Sequence, residues 1–215
     1  MFASKLSWIV VLGLLAAACT KDPGPPPEES SSRTTGNAGL TGNTPMAAPT
    51  DVQPGDRLDL GGISVEVPEG WVVERPSSNM RRAQFRLPGE GGESAEMIVF
   101  FFGAGQGGSV QMNIDRWIGQ YEQPGGRSSA DAATIDSFSA NGMKITTVEI
   151  EGTLVAPTNM NNPAAGNQNV PNQAFIGGIV ESPAGKFFFK TAGPQAVVDQ
   201  WSPSVKDFLK SVQSN

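Results

Sequence analysis

Few residues in this 215-residue chain have the type and spacing to do chemistry. The sharpest pattern is Gly103-Ala104-Gly105-Gln106-Gly107-Gly108, a GxGxxG string whose amides could cradle a phosphate at a helix N-terminus. Its surroundings argue against that role. No second parallel βα unit follows, no acidic residue ends a second strand about twenty positions later to hold a ribose, and no Gly-Lys-Ser/Thr is present. The string is expected to be a flexible link between a strand and its covering helix. Glu149 and Glu151 lie two apart in a predicted strand, so they share a face about 6.6 Å apart. Paired carboxylates can do acid/base work on glycosides, but Val148 and Ile150 take the opposite face, so both acids are expected to point to solvent. Arg82 and Arg86, with Arg81 adjacent, could grip an anion; a charged, solvated strand face is the simpler expectation. Asp115-Arg116 reads as a solvated pair, and Lys144 and Tyr121 have no visible activating partner. Trp71, Trp117 and Trp201 could line a ring pocket. Two of them fall on helix stripes with Val and Ile, which favours core packing.

Composition removes other chemistries. The sequence has no His, so neither Ser-His-Asp catalysis nor a His-ligated zinc is available. It has no GxSxG or SxxK serine and no EF-hand spacing. With 15 basic and 21 acidic residues, the net charge of −6 gives no overall attraction for nucleic acid. No catalytic residue, metal ligand or cofactor is expected.

One cysteine excludes an intramolecular disulfide, and its place suggests a use. Lys5 supplies a positive start, and Trp8–Ala18 is an apolar run too short to span a bilayer, which needs about 20 residues. Leu15-Ala16-Ala17-Ala18-Cys19 resembles a bacterial lipobox, with Ala16 where Leu is usual. Residues 1–18 are therefore expected to be a lipoprotein signal peptide and Cys19 the lipid attachment site. Two or three acyl chains hold a protein stably on a membrane. By resemblance to the bacterial sorting rule, Thr20 favours the outer membrane, on its periplasmic face. Residues 19–55 continue as a Pro-, Ser- and Gly-rich tether that buries too little apolar area to fold.

From residue 56 the pattern is that of one globular domain, with 12 basic and 17 acidic side chains. Ile63–Val67, Trp71–Val73, Ala83–Leu87, Thr134–Ser139, Met143–Glu151 and Ala174–Val180 read as strands. Met97–Phe102 and Phe187–Phe189 are apolar at every position and must be covered on both faces. Val110, Ile114, Trp117, Ile118 and Tyr121 form one helical stripe, with Ser109 as N-cap. Pro194 and Pro203 each suit the first turn of a helix, so two closing helices are expected. The first carries Val197, Val198 and Trp201; the second, capped by Ser202, carries Val205, Phe208, Leu209 and Val212. Residues 156–173, uncharged and rich in Asn, read as a polar insertion loop. Together these imply an α+β fold, a three-layer α/β/α sandwich around a largely antiparallel sheet.

That layout resembles the PsbP-like, or Mog-like, αβα sandwich across residues 56–213. The resemblance is carried by Ile63–Trp71 (a strand, then Pro-Glu-Gly-Trp), Ala83–Pro88, and the closing Lys186-Phe187-Phe188-Phe189-Lys190, Gly193-Pro194 and Phe208-Leu209-Lys210-Ser211-Val212. It implies a small, non-enzymatic binding or accessory protein, here an exported lipoprotein in the cell envelope. The expected partners are the membrane, through the lipid, and an envelope protein or small ligand; no nucleic acid is expected. Two alternatives stay open. One is a carboxylate-dependent hydrolase using Glu149 and Glu151. The other is a small-ligand carrier whose pocket between sheet and helix is lined by Trp117 and Phe101.

Overall fold

The computed structural model describes residues 52–157 and 166–215, all within one compact unit, Asn43–Asn215. The expected signal peptide, Cys19 and nearly all of the expected tether lie outside the described residues.

The strands are β1 (Arg57–Asp59), β2 (Ile63–Glu66), β3 (Val72–Glu74), β4 (Arg81–Pro88), β5 (Ser94–Phe101), β6 (Tyr121–Glu122), β7 (Thr134–Ala140), β8 (Met143–Pro157), β9 (Asn167–Ser182), β10 (Gly185–Pro194) and β11 (Gln213–Ser214). The helices are α1 (Val110–Ile118), the single turn α2 (Ser129–Ala132) and α3 (Gln195–Lys210). The main sheet runs β3-β4-β5-β10-β9-β8, with β6 and β7 both on the outer edge of β8. A small sheet, β1-β2-β11, ties the chain's last strand to its first ones. Every pairing is antiparallel. At the β7–β8 hairpin, Asn141 (φ 49°) and Gly142 (φ 79°) make the two-residue turn that matches strand twist.

Two adjacent glycines of β9 show the layering. A Cβ on Gly177 would lie 2.6 Å from the Trp117 ring of α1, and one on Gly178 would lie 2.7 Å from Leu209 at the end of α3. Neighbouring strand residues point to opposite faces, so the two helices cover opposite faces. The core divides accordingly. Ile114, Trp117 and Ile118 of α1 pack on Val148, Ile150, Phe175, Ile179 and Phe188. On the other face α3 and the small sheet pack on Phe85, Met97, Ile145 and Phe189. There Phe208 sits 4.9 Å from Trp71, 5.4 Å from Phe85 and 5.8 Å from Phe189, ring centre to ring centre. The fold is the expected α+β three-layer sandwich.

Three expectations need correction. The two closing helices are one, α3, with Pro203 in its interior. The stripe Val197, Val198, Val205, Phe208, Leu209 stays in phase across Pro203, and all five are buried. Each buried side chain is worth about 1.5–3 kcal/mol, which outweighs the roughly 3 kcal/mol cost of an interior proline. Ser202 is thus a helix-interior residue and caps nothing. Of the polar stretch 156–173, every described residue except Gly166 is strand. Val155 pairs with Asn169, Ala156 with Gln168 and Pro157 with Asn167, and residues 158–165 lie outside the described residues. Sheet pairing uses backbone groups, so polar side chains persist on a ribbon that faces water. Finally, Met97–Phe102 is not covered on both faces. Met97 and Val99 are fully buried, Ile98 and Phe100 are half-buried, and Phe102 is 41% exposed, because α1 does not reach over β5.

Gly178→Ala should lower the unfolding free energy by about 1–3 kcal/mol, the usual cost of over-packing, read from the denaturant midpoint at unchanged slope. Pro203→Ala should raise stability by about 1–2 kcal/mol, helix propensity gained less the unfolded-state entropy that proline removes. A lower melting temperature in Pro203→Ala would show that the proline ring contributes more to packing and chain stiffness than it costs the helix.

Candidate functional site

The expected carboxylate pair stands at a hollow. Glu149 and Glu151 share the α3 face of β8, as their spacing requires. The hollow, of about 420 Å³, is bounded by β8, β9, the start of β7, the segment around Arg127, and Val198, Asp199 and Ser202 of α3. Gln123 donates to the Glu151 carbonyl at 2.6 Å, and Ser129 Oγ donates to the Tyr121 carbonyl at 2.6 Å, fastening the α2 segment beside it. Glu151 is exposed, as expected, and Glu149 is half-buried, and each carboxylate is engaged by α3. Glu149 accepts an ion pair from Lys206 Nζ at 2.9 Å, and Glu151 Oε2 accepts from Gln195 Nε2 at 2.6 Å. Both partners belong to α3, so the acids clamp that helix to the edge of the sheet. Asp199 and Arg127 complete the charges lining the hollow, three acids to one base. Among the described residues no three His, Cys, Asp or Glu side chains are grouped to hold a metal ion.

The arginines are separated, not gathered. Register shifts between Arg81 and Ala83, so Arg81 pairs with Phe100 while Ala83 pairs with Val99. This bulge re-aims Arg81 onto the α1 face beside Arg86. Arg82 turns to the other face, its guanidinium 5.4 Å from the Phe101 ring centre. Arg82 and Arg86 therefore do not share a face. A polar chain crosses the uncovered strands. Arg81 Nη1 donates to Glu96 at 2.7 Å and to Gln84 at 2.8 Å, Gln84 donates to Glu74 at 3.0 Å, and Arg86 pairs with Glu74 at 3.2 Å. Asp115 and Arg116 do not pair with each other. Asp115 accepts from Gln111 and Arg116 donates to the Asn113 amide oxygen.

The glycine string is explained by packing. A Cβ on Gly107 would strike Phe188, and buried Asn113 donates to the carbonyls of Gly107 and Ser109 at 2.7 and 2.8 Å. Ser109 Oγ accepts from the Met112 amide as the expected N-cap. Trp71 and Trp117 are core, and Trp201 Nε1 donates to the Pro88 carbonyl at 2.8 Å. The carrier pocket expected from Trp117 and Phe101 is not formed. Trp117 is pressed on Gly177 from one face, while Phe101 stacks 4.3 Å from Phe187 on the other. Burial pushes the Tyr121 phenol up to about 12, so it holds its proton at neutral pH.

Sequence reasoning missed Lys190, named only as the last residue of the closing Lys186–Lys190 string. It rises from the middle of β10, between Ile98 and Gly177. Its Nζ lies 5.7 Å from the Phe175 ring centre. Burial, then Arg116 and Arg81, push its ammonium below the ordinary lysine value, with Glu96 pulling the other way. The signal was present in the strand alternation, which puts Lys190 on the same face as Phe188.

No family model and no curated protein sequence matches this chain. The likeness is to solved structures. The solution structure of cyanobacterial PsbP (CyanoP) from Synechocystis sp. PCC 6803 is similar over 80% of this chain and 99% of its own, at 13% identity and TM-score 0.45. A crystal structure from Bacteroides thetaiotaomicron VPI-5482 is similar over 76% of this chain, at 9% identity and TM-score 0.37. This chain spans about half of that one, 49%. The molecule therefore has a PsbP-like structural neighbour, while its assignment as an α+β sandwich stands on its own layers and register.

Proposed function

We propose that this chain is an exported lipoprotein, anchored through Cys19 to the periplasmic face of the outer membrane, whose α+β domain is a non-catalytic binding or accessory module of the cell envelope. The observation that carries the binding reading is the engagement of the carboxylates. Glu149 holds Lys206 and Glu151 holds Gln195, so one oxygen of each acid is committed to α3. A general acid must release and recover a proton at the substrate; an acid clamped to a helix serves the fold. The hollow beside them is concave, and its acids outnumber its bases, which suits a basic group on an envelope partner. Anchoring adds affinity without new contacts, because a tethered domain searches a small volume at high effective concentration. A carboxylate-dependent hydrolase is the second reading, favoured by Asp199 and Ser202 lining the same hollow as Glu149 and Glu151.

Metabolic labelling with palmitate should mark the wild-type chain, and Cys19→Ser should carry no label and leave the membrane fraction. Crosslinking in native envelopes should then yield a stoichiometric partner for wild type, with the yield reduced in Cys19→Ser and in Asp199→Lys. Label retained in Cys19→Ser would overturn the anchor. An envelope-polymer hydrolysis abolished by Glu151→Gln would overturn the binding module and establish the second reading.

A further inference from the structure

The α1 face carries a cationic group whose one contact among the described residues is the face of an aromatic ring, with no acceptor or counter-ion. Lys190 is half-buried beside α1, and among the described residues its ammonium donates no hydrogen bond and makes no ion pair. Burying an ammonium is costly unless an acceptor compensates it. The acid near it, Glu96, is already held by Arg81 at 2.7 Å. Lys190 pairs with Gly177, on which Trp117 of α1 is seated, so the neighbouring Arg116 belongs to the turn of α1 beside the lysine, and among the described residues its one acceptor is the neutral Asn113 amide oxygen at 2.6 Å. The Arg81–Glu96 ion pair spans the face past Ile98, the β5 partner of Lys190, so Lys190, Arg81 and Arg116 stand as three cations against Glu96 in a chain whose net charge is −6. The bulge at Arg81 turns that side chain onto this face, and Gly177, the β9 partner of Lys190, seats Trp117 of α1 directly beside the lysine.

We propose that Lys190, with Arg116 and Arg81, forms a binding site for a phosphate-type oxyanion on the part of the α1 face that the helix leaves uncovered. A phosphate monoester carries close to two negative charges and three acceptor oxygens, enough to take donors from strand and helix at once. A single carboxylate would leave a cation unmatched. Glu96 orients Arg81 and confines the free positive charge to Lys190 and Arg116. Beside the cations, Phe100 stacks 6.0 Å from the exposed Phe102 ring and offers an apolar floor to whatever the phosphate is attached to. The site does not depend on the proposed lipidation and lies on the face opposite to the acid-lined hollow.

The same chemistry has two sources, free phosphate esters and lipid headgroups, so the test has two arms. Both use the full chain carrying Cys19→Ser, so that no acyl chain contributes. Inorganic phosphate is titrated and followed by amide chemical shifts and melting temperature. Phosphatidic acid vesicles are compared with phosphatidylcholine vesicles by co-sedimentation. The expected result is saturable binding in at least one arm, with shifts centred on Lys190, Arg116 and Arg81. Lys190→Met should weaken it about tenfold or more, and Arg116→Gln several-fold. Arg116 is exposed, so its variant carries the test should Lys190→Met fail to fold. Vesicle binding without a free-phosphate response assigns the headgroup. No saturable response in either arm, or a response unchanged in the folded variants, overturns the site.

Discussion

The structure depends on close approach of both helices to the backbone of β9. Gly177 meets Trp117 and Gly178 meets Leu209, so two successive residues of one strand set the seats of α1 and α3. The same device recurs along α3. A Cβ on Gly70 would lie 2.7 Å from the Trp201 ring, and one on Gly89 would strike Val197. Glycine makes a strand less stable in isolation. Here that weakness is offset by what enters the space: an indole, a leucine and a valine buried against main chain, each worth about 1.5–3 kcal/mol. Dense interiors transmit such constraints, so the place of each helix follows from the place of the glycines.

The asymmetry between the faces follows from size. An α-helix is about 10–12 Å across and strands lie about 4.8 Å apart, so one helix covers two or three strands. On one face the sixteen-residue α3 is joined by the three-stranded sheet, and together they bury most of it. On the other, α1 has nine residues and rests on β8–β10. The strands β3–β5 are left without a cover. Uncovered strand faces need polar side chains, and the chain Arg86–Glu74–Gln84–Arg81–Glu96 supplies them. Lys190 stands on the border, buried by α1 on one side and open on the other.

Much of this was legible in the residues. Period-two runs located most of the main-sheet strands, the stripe from Val110 to Ile118 located α1, and Ser109 capped it. The failures have physical causes. Pro203 was read as a helix start because local geometry favours proline in a first turn, but the apolar stripe runs through it and packing decides. The Asn-rich stretch was read as a loop because polarity was weighed, whereas the β8–β9 ladder is made by main chain that composition does not report. The pairing of Arg82 with Arg86 failed at a bulge, which changes the face of one residue and leaves no mark in a simple alternation. Glu149 and Glu151 were placed on the right face, but their clamping to Lys206 and Gln195 is tertiary, between residues 44 to 57 positions apart.

Net charge gives a poor guide to what such a molecule binds. A value of −6 argues against broad attraction of polyanions, yet charges act over a screening length of about 8 Å at physiological ionic strength. The acids at the hollow lie on the α3 face and the cations around Lys190 on the α1 face, with the sheet between. Bound groups at the two places would sense their own neighbours far more than the sum. An acidic hollow and a cationic cluster can thus coexist on one small domain. The nine-residue length of α1 is what makes the second of them possible, because a helix long and central enough to cover β5 would bury Lys190 completely and select an apolar residue there.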